Sequence, residues 1–522
     1  MKNIVNIINF ARGVEPRDPN VDLWGTLETE LKLCREYGFV NTVLLQYDAL
    51  IQPEYPKLVK QYQDLSQPGL WMEVVEPLAQ VAGIPWRGRW PWDWHSDVGF
   101  LIGYEPQERK RLIDAAFSKF REIFGHYPST VGSWHIDAVS LDYMRQQYGV
   151  VASCNCKDQY GTDGYTMWGG YYNGAYYPSK KNMFCPAQTL ENQISLPVFR
   201  MLGSDPIHQY DFGLGQQGNY DPSNCQGVAT LEPIYDNAGA DPQWVDWYFK
   251  ENFNGKSLCF AYTQAGQENS FGWPDISKGL PMQFEKLKRM QELGEVEIET
   301  LEQSGRWFAG HYQTTPAAAM CIDSDYSPAQ NKTVWYYNRL YRTNLLFEAN
   351  KLWIRDLYLF DEQFEEKYLD EKETQNLCGF YNLPVMDGFR FSRGAVRAGI
   401  YPVVNGKDFT SPAAYWSRTE GNDTVAAGLG EDLVYRMEEH RLTVRCRAEG
   451  WRLVWKLPQQ TADALPYQSV TPKELFLSFA GYTRKQHLYS LKLEQGVFEA
   501  AGPHGSNISV RPENGAVVFR LG

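Results

Sequence analysis

What the chain lacks narrows its reading first. Its 522 residues contain no block of Lys and Arg, and the formal net charge is −13, which argues against nucleic acid or an anionic membrane surface as the main partner. No apolar run approaches the roughly 18 to 20 residues that span a bilayer. The nine cysteines are an odd number, scattered and without metal-ligand spacing, so neither a disulfide framework nor a zinc knuckle is indicated. Free buried thiols are expected, with a loop disulfide among Cys154, Cys156, Cys185 and Cys225 as the alternative. Repeats and low-complexity tails are absent. The N-terminus enters a strand with no apolar leader region or cleavage site. As written the chain is expected in the cytoplasm, or in the periplasm or outside the cell if a leader was removed.

The composition that remains is that of a globular protein with a large core, 43% hydrophobic and 22% charged. The length calls for two or three domains. Aromatic content is 15%, with 17 Trp and 33 Tyr. That suits stacking on sugar rings and equally suits dense packing.

The chain is organised around Val131-Gly-Ser-Trp-His-Ile-Asp137, an apolar run that ends in an imidazole and a carboxylate. Residues 105–124 before it read as an amphipathic helix, and residues 139–148 after it read as another, closed by Gly149. Helix, strand, polar strand end and helix is the order of an α/β barrel, whose chemistry sits at the C-terminal strand ends. The same order recurs. Strands are expected at 4–10, 40–47, 69–75, 150–154, 196–202, 257–263 and 296–301, giving a (β/α)7-8 barrel over residues 1–316. Residues 317–388 read as a helical segment, with helices at 333–355 and 357–375. Beyond Gly388, short alternating runs separated by Gly, Pro and Asn predict a C-terminal antiparallel β-sandwich over 389–522.

Polar strand ends supply the candidate site. Arg12 and Glu15 follow the first strand, and Glu73 lies inside an otherwise apolar third one, where an unpaired carboxylate is costly. The loop 84–97 carries four Trp, among them Trp94, and ends in His95 and Asp97, repeating the His-x-Asp spacing of His135 and Asp137. In extended chain both members of such a pair face one side. Trp134 lies beside His135. Asp205 and His208 follow the sixth strand, Asp236 heads a loop, and Gln264, Glu268 and Trp273 follow the next strand. The long aromatic excursion 156–192 is read as a cleft wall.

The segment from Tyr104-Glu-Pro-Gln-Glu-Arg through Phe124-Gly-His-Tyr-Pro-Ser129, a strand, a helix and Tyr148-Gly-Val150 resembles the polysaccharide-deacetylase superfamily. That superfamily's (β/α)7 relatives include glycoside hydrolase families 57 and 38. In layout the resemblance covers residues 1–310, and in wording 104–150. It departs from the deacetylase pattern at three places. Arg12 and Glu15 stand where deacetylases present paired Asp, Trp94-His-Ser-Asp97 offers one His where they have His-x-x-x-His, and Ser133–Asp137 replaces Arg-x-Pro-Tyr. The zinc cage and the base that activates water are therefore incomplete.

A carbohydrate-active hydrolase is the reading that follows, first as a glycoside hydrolase acting on an oligo- or polysaccharide. Glycosidases need two carboxyls flanking the scissile bond, and the family 57 resemblance draws them from the fourth and seventh strands. Asp137 is thus expected as nucleophile or base and Glu268 as acid, with His135 and Asp205 beside them. The remaining residues named above are expected to bind sugar. No cofactor is required on this reading. A divalent metal, zinc or calcium, on His95, Asp97, His135 and Asp137 belongs to the alternatives, as in the family 38 relatives. Metal-dependent deacetylation is the second reading, and a non-catalytic carbohydrate-binding protein the third.

Overall fold

A computed structural model of the chain describes residues 1–214, 220, 226–458, 465–483, 485–500 and 507–522. Seven parallel strands form the first half. In spatial order they are Phe260–Ala265, Lys2–Ala11, Asn41–Leu45, Ser66–Trp71, Thr130–Gly132, Ala152–Asn155 and Val198–Arg200. Helices at Leu23–Tyr37, Pro106–Phe124, Ala138–Tyr148, Pro242–Asn252, Gly279–Glu292 and Leu301–His311 connect and cover them. Buried on both faces, the strands are continuous apolar runs such as Val43–Leu45. Local chemistry fixes the helix ends: Glu105 and Glu108 form a reciprocal capping box, and Gly125 closes the same helix in the left-handed conformation.

The expected closed barrel is open on one side. Among the described residues no ladder joins Val198–Arg200 to Phe260–Ala265. Instead the Gln264 side-chain carbonyl accepts the Leu202 N–H at 3.0 Å. The expected eighth strand, at Glu297–Glu299, pairs with residues 4–6 of the first instead of closing the ring. Phe10, Trp71 and Trp134 plug the interior, with ring centroids 4.3 to 5.8 Å apart. Their rings form the floor of the open end.

From Ala318 onward the chain forms two antiparallel sheets, apart from Cys378–Tyr381, which pairs with Tyr165–Trp168. Leu345, Ile354, Leu453 and Trp455 of one pack with Val425, Leu442 and Phe519 of the other in a single apolar core, the arrangement of a β-sandwich. The helices expected at 333–355 and 357–375 are not there. Lys332–Tyr337, Tyr341–Glu348 and Lys351–Leu359 are strands, and only Lys367–Leu369 makes a short helical turn. Thr, Val, Trp and Tyr at 333–337 favour the pleated surface. Ala349 and Asn350, both at positive φ, make the tight hairpin turn that a helix would not contain.

Ion pairs seal barrel to sandwich. Asp158 accepts from Arg200 at 2.6 Å and from Arg342, which also pairs with Asp356 at 2.8 Å. Tyr172 stacks on Trp335 at 3.8 Å. The aromatic excursion therefore divides: Gln159–Trp168 forms a hairpin at the barrel mouth, while Tyr171, Tyr172 and Tyr176 are buried and take no part in a cleft. The eight described cysteines are free; Cys225 lies outside the described residues. No helix among the described residues is long and apolar enough to cross a membrane.

Candidate active site

A cavity of about 490 Å³ opens above that aromatic floor, at the C-terminal ends of the strands. Each wall residue is delivered by a strand end or by the loop that follows it. The first strand runs into Arg12, whose N–H donates to the Asn269 side chain at 2.9 Å while Asn269 donates back to the Arg12 carbonyl at 3.0 Å. This ties the ends of the first and last barrel strands together. Gly266, at φ +93°, makes the sharp exit from the last strand; a Cβ there would meet the Ile8 carbonyl at 2.4 Å. The exit brings Glu268 beside Phe10. The third strand continues irregularly past Trp71 to Glu73 and Val75, which bridge to Phe100 and Trp92 of the Trp-rich loop.

Arg12 is the hub. Its Nη2 lies 3.4 Å from Glu73 Oε1 and 3.1 Å from Glu268 Oε2, and its guanidinium stacks over Trp92 at 3.9 Å. Glu73 also accepts from Trp92 Nε1 and Gln46 Nε2, each at 2.9 Å. Burial raises its carboxyl, a rise that Arg12 opposes. Glu268 accepts the Ser270 hydroxyl at 2.6 Å. Glu232, also in the cavity lining, takes the Thr230 hydroxyl at 2.8 Å and the Gln267 amide at 3.4 Å. Among the described residues no cation pairs with it, and burial pushes its carboxyl up to about 7. Trp94, Phe100, Trp134, Tyr165, Tyr235 and Phe271 supply ring surface, and the hairpin tip brings in Asp163. The cavity thus joins a carboxyl that holds its proton near neutrality, an ion-paired carboxylate and flat apolar walls.

Of the residues expected from sequence, Arg12, Glu73, Trp94, His95, Trp134 and Glu268 meet in this cavity. The others do not. Glu15 is buried beneath it, where it grips the Arg17 guanidinium at 2.6 and 2.8 Å. That grip holds Arg17 against Trp92 and Trp94 on the wall. Asp97 begins a helical turn at 96–99 instead of continuing extended, so it parts from His95. His135 is packed among Phe100, Tyr165 and Phe380, with Nε2 3.4 Å from Cys378 Sγ; burial depresses its imidazole to about 3. Asp137 caps the helix 138–148 and pairs with buried Arg109 at 2.9 Å. Asp205 accepts two backbone N–H groups and Trp244 Nε1. His208 pairs with Asp325 at 2.9 Å, and Asp236 is exposed beside Lys278. Gln264 spans the barrel's open side, and Trp273 starts a short helix.

Glu232, Arg17, Trp92 and Asp163 were not singled out from sequence. Glu232 carries the same signal as Glu73, a carboxylate between apolar neighbours, in Leu231-Glu-Pro-Ile234.

The metal that the deacetylase resemblance implies does not fit these donors. His95 faces the cavity, His135 faces Cys378 and Asp137 faces Arg109. Among the described residues no three His, Cys, Asp or Glu side chains converge to hold an ion.

Comparison with known proteins meets this geometry at the level of the fold. No family model matches the sequence, and no curated protein matches it. A solved structure from Parabacteroides distasonis, named as a candidate glycoside hydrolase/deacetylase, superposes with a TM-score of 0.53 at 14% identity, covering 73% of this chain and 90% of that one. That likeness shows a shared fold. Two candidate polysaccharide deacetylases overlap less well. The one from Mycobacterium smegmatis has a TM-score of 0.34 at 10% identity, covering 59% of this chain and 90% of its own. That from Pseudomonas aeruginosa has 0.35 at 12%, covering 59% and 92%. At such identities the likeness speaks for the fold and not for the reaction.

Proposed function

We propose that the chain is a carbohydrate-active hydrolase that cleaves glycosidic bonds, with Glu232 as general acid and Glu268 as nucleophile or base. The observation that carries this reading is two buried carboxyls in one aromatic-walled cavity, Glu268 paired with Arg12 and Glu232 with no cation among the described residues. A glycosidase must protonate the leaving oxygen and stabilise or attack the anomeric centre. A carboxyl whose proton affinity is raised, as burial raises that of Glu232, suits the acid's task. Arg12 holds Glu73 and Glu268 in place; Trp94, Trp134 and Tyr165 offer faces for sugar rings, whose C–H surfaces pack on aromatics as apolar groups do. The reading keeps Glu268 from the sequence expectation, exchanges its role, and replaces Asp137 by Glu232. Bound sugar without turnover would mark a silent binding protein, but three buried carboxyls in one cavity, two of them on one cation, are costly for binding alone.

Metal-dependent deacetylation of a polysaccharide is the second reading. It is favoured by the Parabacteroides neighbour, whose name spans both reactions. The test is reducing-sugar and acetate release from a glycan panel, with and without chelator, on wild type, Glu232→Gln and Glu268→Gln. Sugar release that survives chelation and collapses in both variants supports the glycosidase. Acetate release lost on chelation supports the deacetylase.

A further inference from the structure

His135 and Asp137, which follow the fourth barrel strand, line no part of the cavity, yet both are buried and held by their neighbours. Both reach one excursion of the sandwich, residues 360–382, between the adjacent strands Lys351–Leu359 and Leu383–Asp387: His135 directly, through Cys378 and Phe380, and Asp137 through Arg109. Arg109 Nη1 donates to Asp137 at 2.9 Å and to the Tyr368 carbonyl at 2.6 Å, while its Nη2 donates to the Glu371 carbonyl at 3.1 Å. The Glu366 carboxyl accepts the Ala138 N–H at 2.9 Å and the Met183 N–H at 2.8 Å. Further along, the Glu373 N–H donates to the Ile102 carbonyl at 2.7 Å, and the Asn376 carbonyl accepts the Ser96 N–H. Cys378–Tyr381 then runs parallel to Tyr165–Trp168 as a third strand on the cavity hairpin, with Cys378 against His135. Between these anchors, Asn376 and Leu377 stand in the cavity wall. Leu377 is 49% exposed, an apolar side chain at the lip.

We propose that residues 364–382 are a specificity strap through which the sandwich completes the barrel's cavity. Asn376 and Leu377 contact the substrate, and Arg109, Asp137 and His135 are the positioning residues that dock the strap. The inference rests on the cavity being the active site. A loop fixed at its start, middle and end presents its apex at one place, so sugar-contacting groups arrive without an ordering cost at binding. A buried guanidinium whose only paired carboxylate among the described residues is Asp137 cannot lose it cheaply. The strap is therefore a fixed wall and not a lid.

The test uses the full chain. Hydrogen exchange by mass spectrometry follows residues 366–381, while steady-state kinetics and tryptophan fluorescence follow cellohexaose, xylohexaose and chitohexaose. Asp137→Asn is expected to speed exchange in the strap about ten-fold, leave the strands 2–11 and 41–45 protected, and raise KM about ten-fold with kcat within about three-fold. Leu377→Ala and Asn376→Ala are expected to raise KM similarly without changing exchange, since loss of one well-placed contact is worth about a factor of ten. If Asp137→Asn does not fold, Glu366→Gln takes its place. A collapse of kcat in Asp137→Asn with strap exchange unchanged would overturn the proposal, because Asp137 would then act on the reaction itself. A loosened strap with unaltered KM for all three hexasaccharides would also overturn it, as would a wild type that binds none of them. Binding without turnover would refute the hydrolase reading alone, and Kd would then be read in place of KM.

Discussion

Replacing Glu232 by Gln removes one proton and almost no volume. In the wild type the carboxyl titrates at about 7, so at pH 6 about nine-tenths of it is protonated and at pH 8 about one-tenth. If it donates that proton to the leaving oxygen, kcat falls about ten-fold per pH unit above 7. Glu232→Gln should lower kcat 10² to 10⁴-fold, about 3 to 5 kcal/mol on the barrier, and abolish that alkaline limb. The loss should shrink for an aryl glycoside whose leaving group needs no protonation. Stability moves the other way. The folded-state value lies above the unfolded one, so the contribution is full at low pH and is lost as pH rises through about 7. At pH 9 the wild type should be less stable than Glu232→Gln by about 3 kcal/mol, and at pH 4 the difference should vanish. The assays are pH–rate profiles on two leaving groups and denaturant unfolding at both pH values. An alkaline limb that persists in the variant, or equal losses on both leaving groups, would refute the assignment.

Arg12→Ala leaves Glu73 and Glu268 buried without their shared cation. It should cost about 3 to 5 kcal/mol at pH 7, with part of the deficit recovered at pH 4.5, as denaturant titration would show. Trp94→Ala removes a stacking face at the cavity wall and should raise KM about five- to ten-fold, read from initial rates over a range of oligosaccharide concentrations, with a smaller change in kcat. The described cysteines are free and all but Cys259 are buried. Among the described cysteines a thiol reagent should therefore label native protein only at Cys259, as mass spectrometry of the labelled peptides would show.

Much of the barrel was legible in the sequence because its strands are apolar on both faces and its helices carry their own caps. The helix 106–124 is announced by its apolar stripe, by Glu105 with Glu108 and by Gly125. The sandwich's start was not legible. Residues 333–355 place aromatic and aliphatic side chains at spacings that suit both periods, and the pairing of Thr333–Tyr337 with its neighbours decided for strands. The acidic run 361–373 reads as a solvated helix face because nothing local reveals that Glu362, Glu366 and Glu373 each accept backbone N–H groups.

For the site, sequence found the polar strand ends but could not say which way they turn. His95 and Asp97 were expected on one side of an extended chain, and a helical turn separates them. Asp137 has the spacing of a catalytic carboxylate, but a helix cap and a buried guanidinium hold it. Of Glu232 and Asp236 it is Glu232 that is buried, and its flanking Leu231 and Pro233 carry that signal in the sequence.

The most direct measurement of the central claim is a crystal structure of Glu268→Gln with an oligosaccharide that the wild type cleaves. The account predicts a sugar chain in the cavity, its glycosidic oxygen within hydrogen-bond reach of the Glu232 carboxyl and the adjoining anomeric carbon facing residue 268. A chain bound elsewhere, or in the cavity with both carboxyls out of reach of the scissile bond, would contradict it.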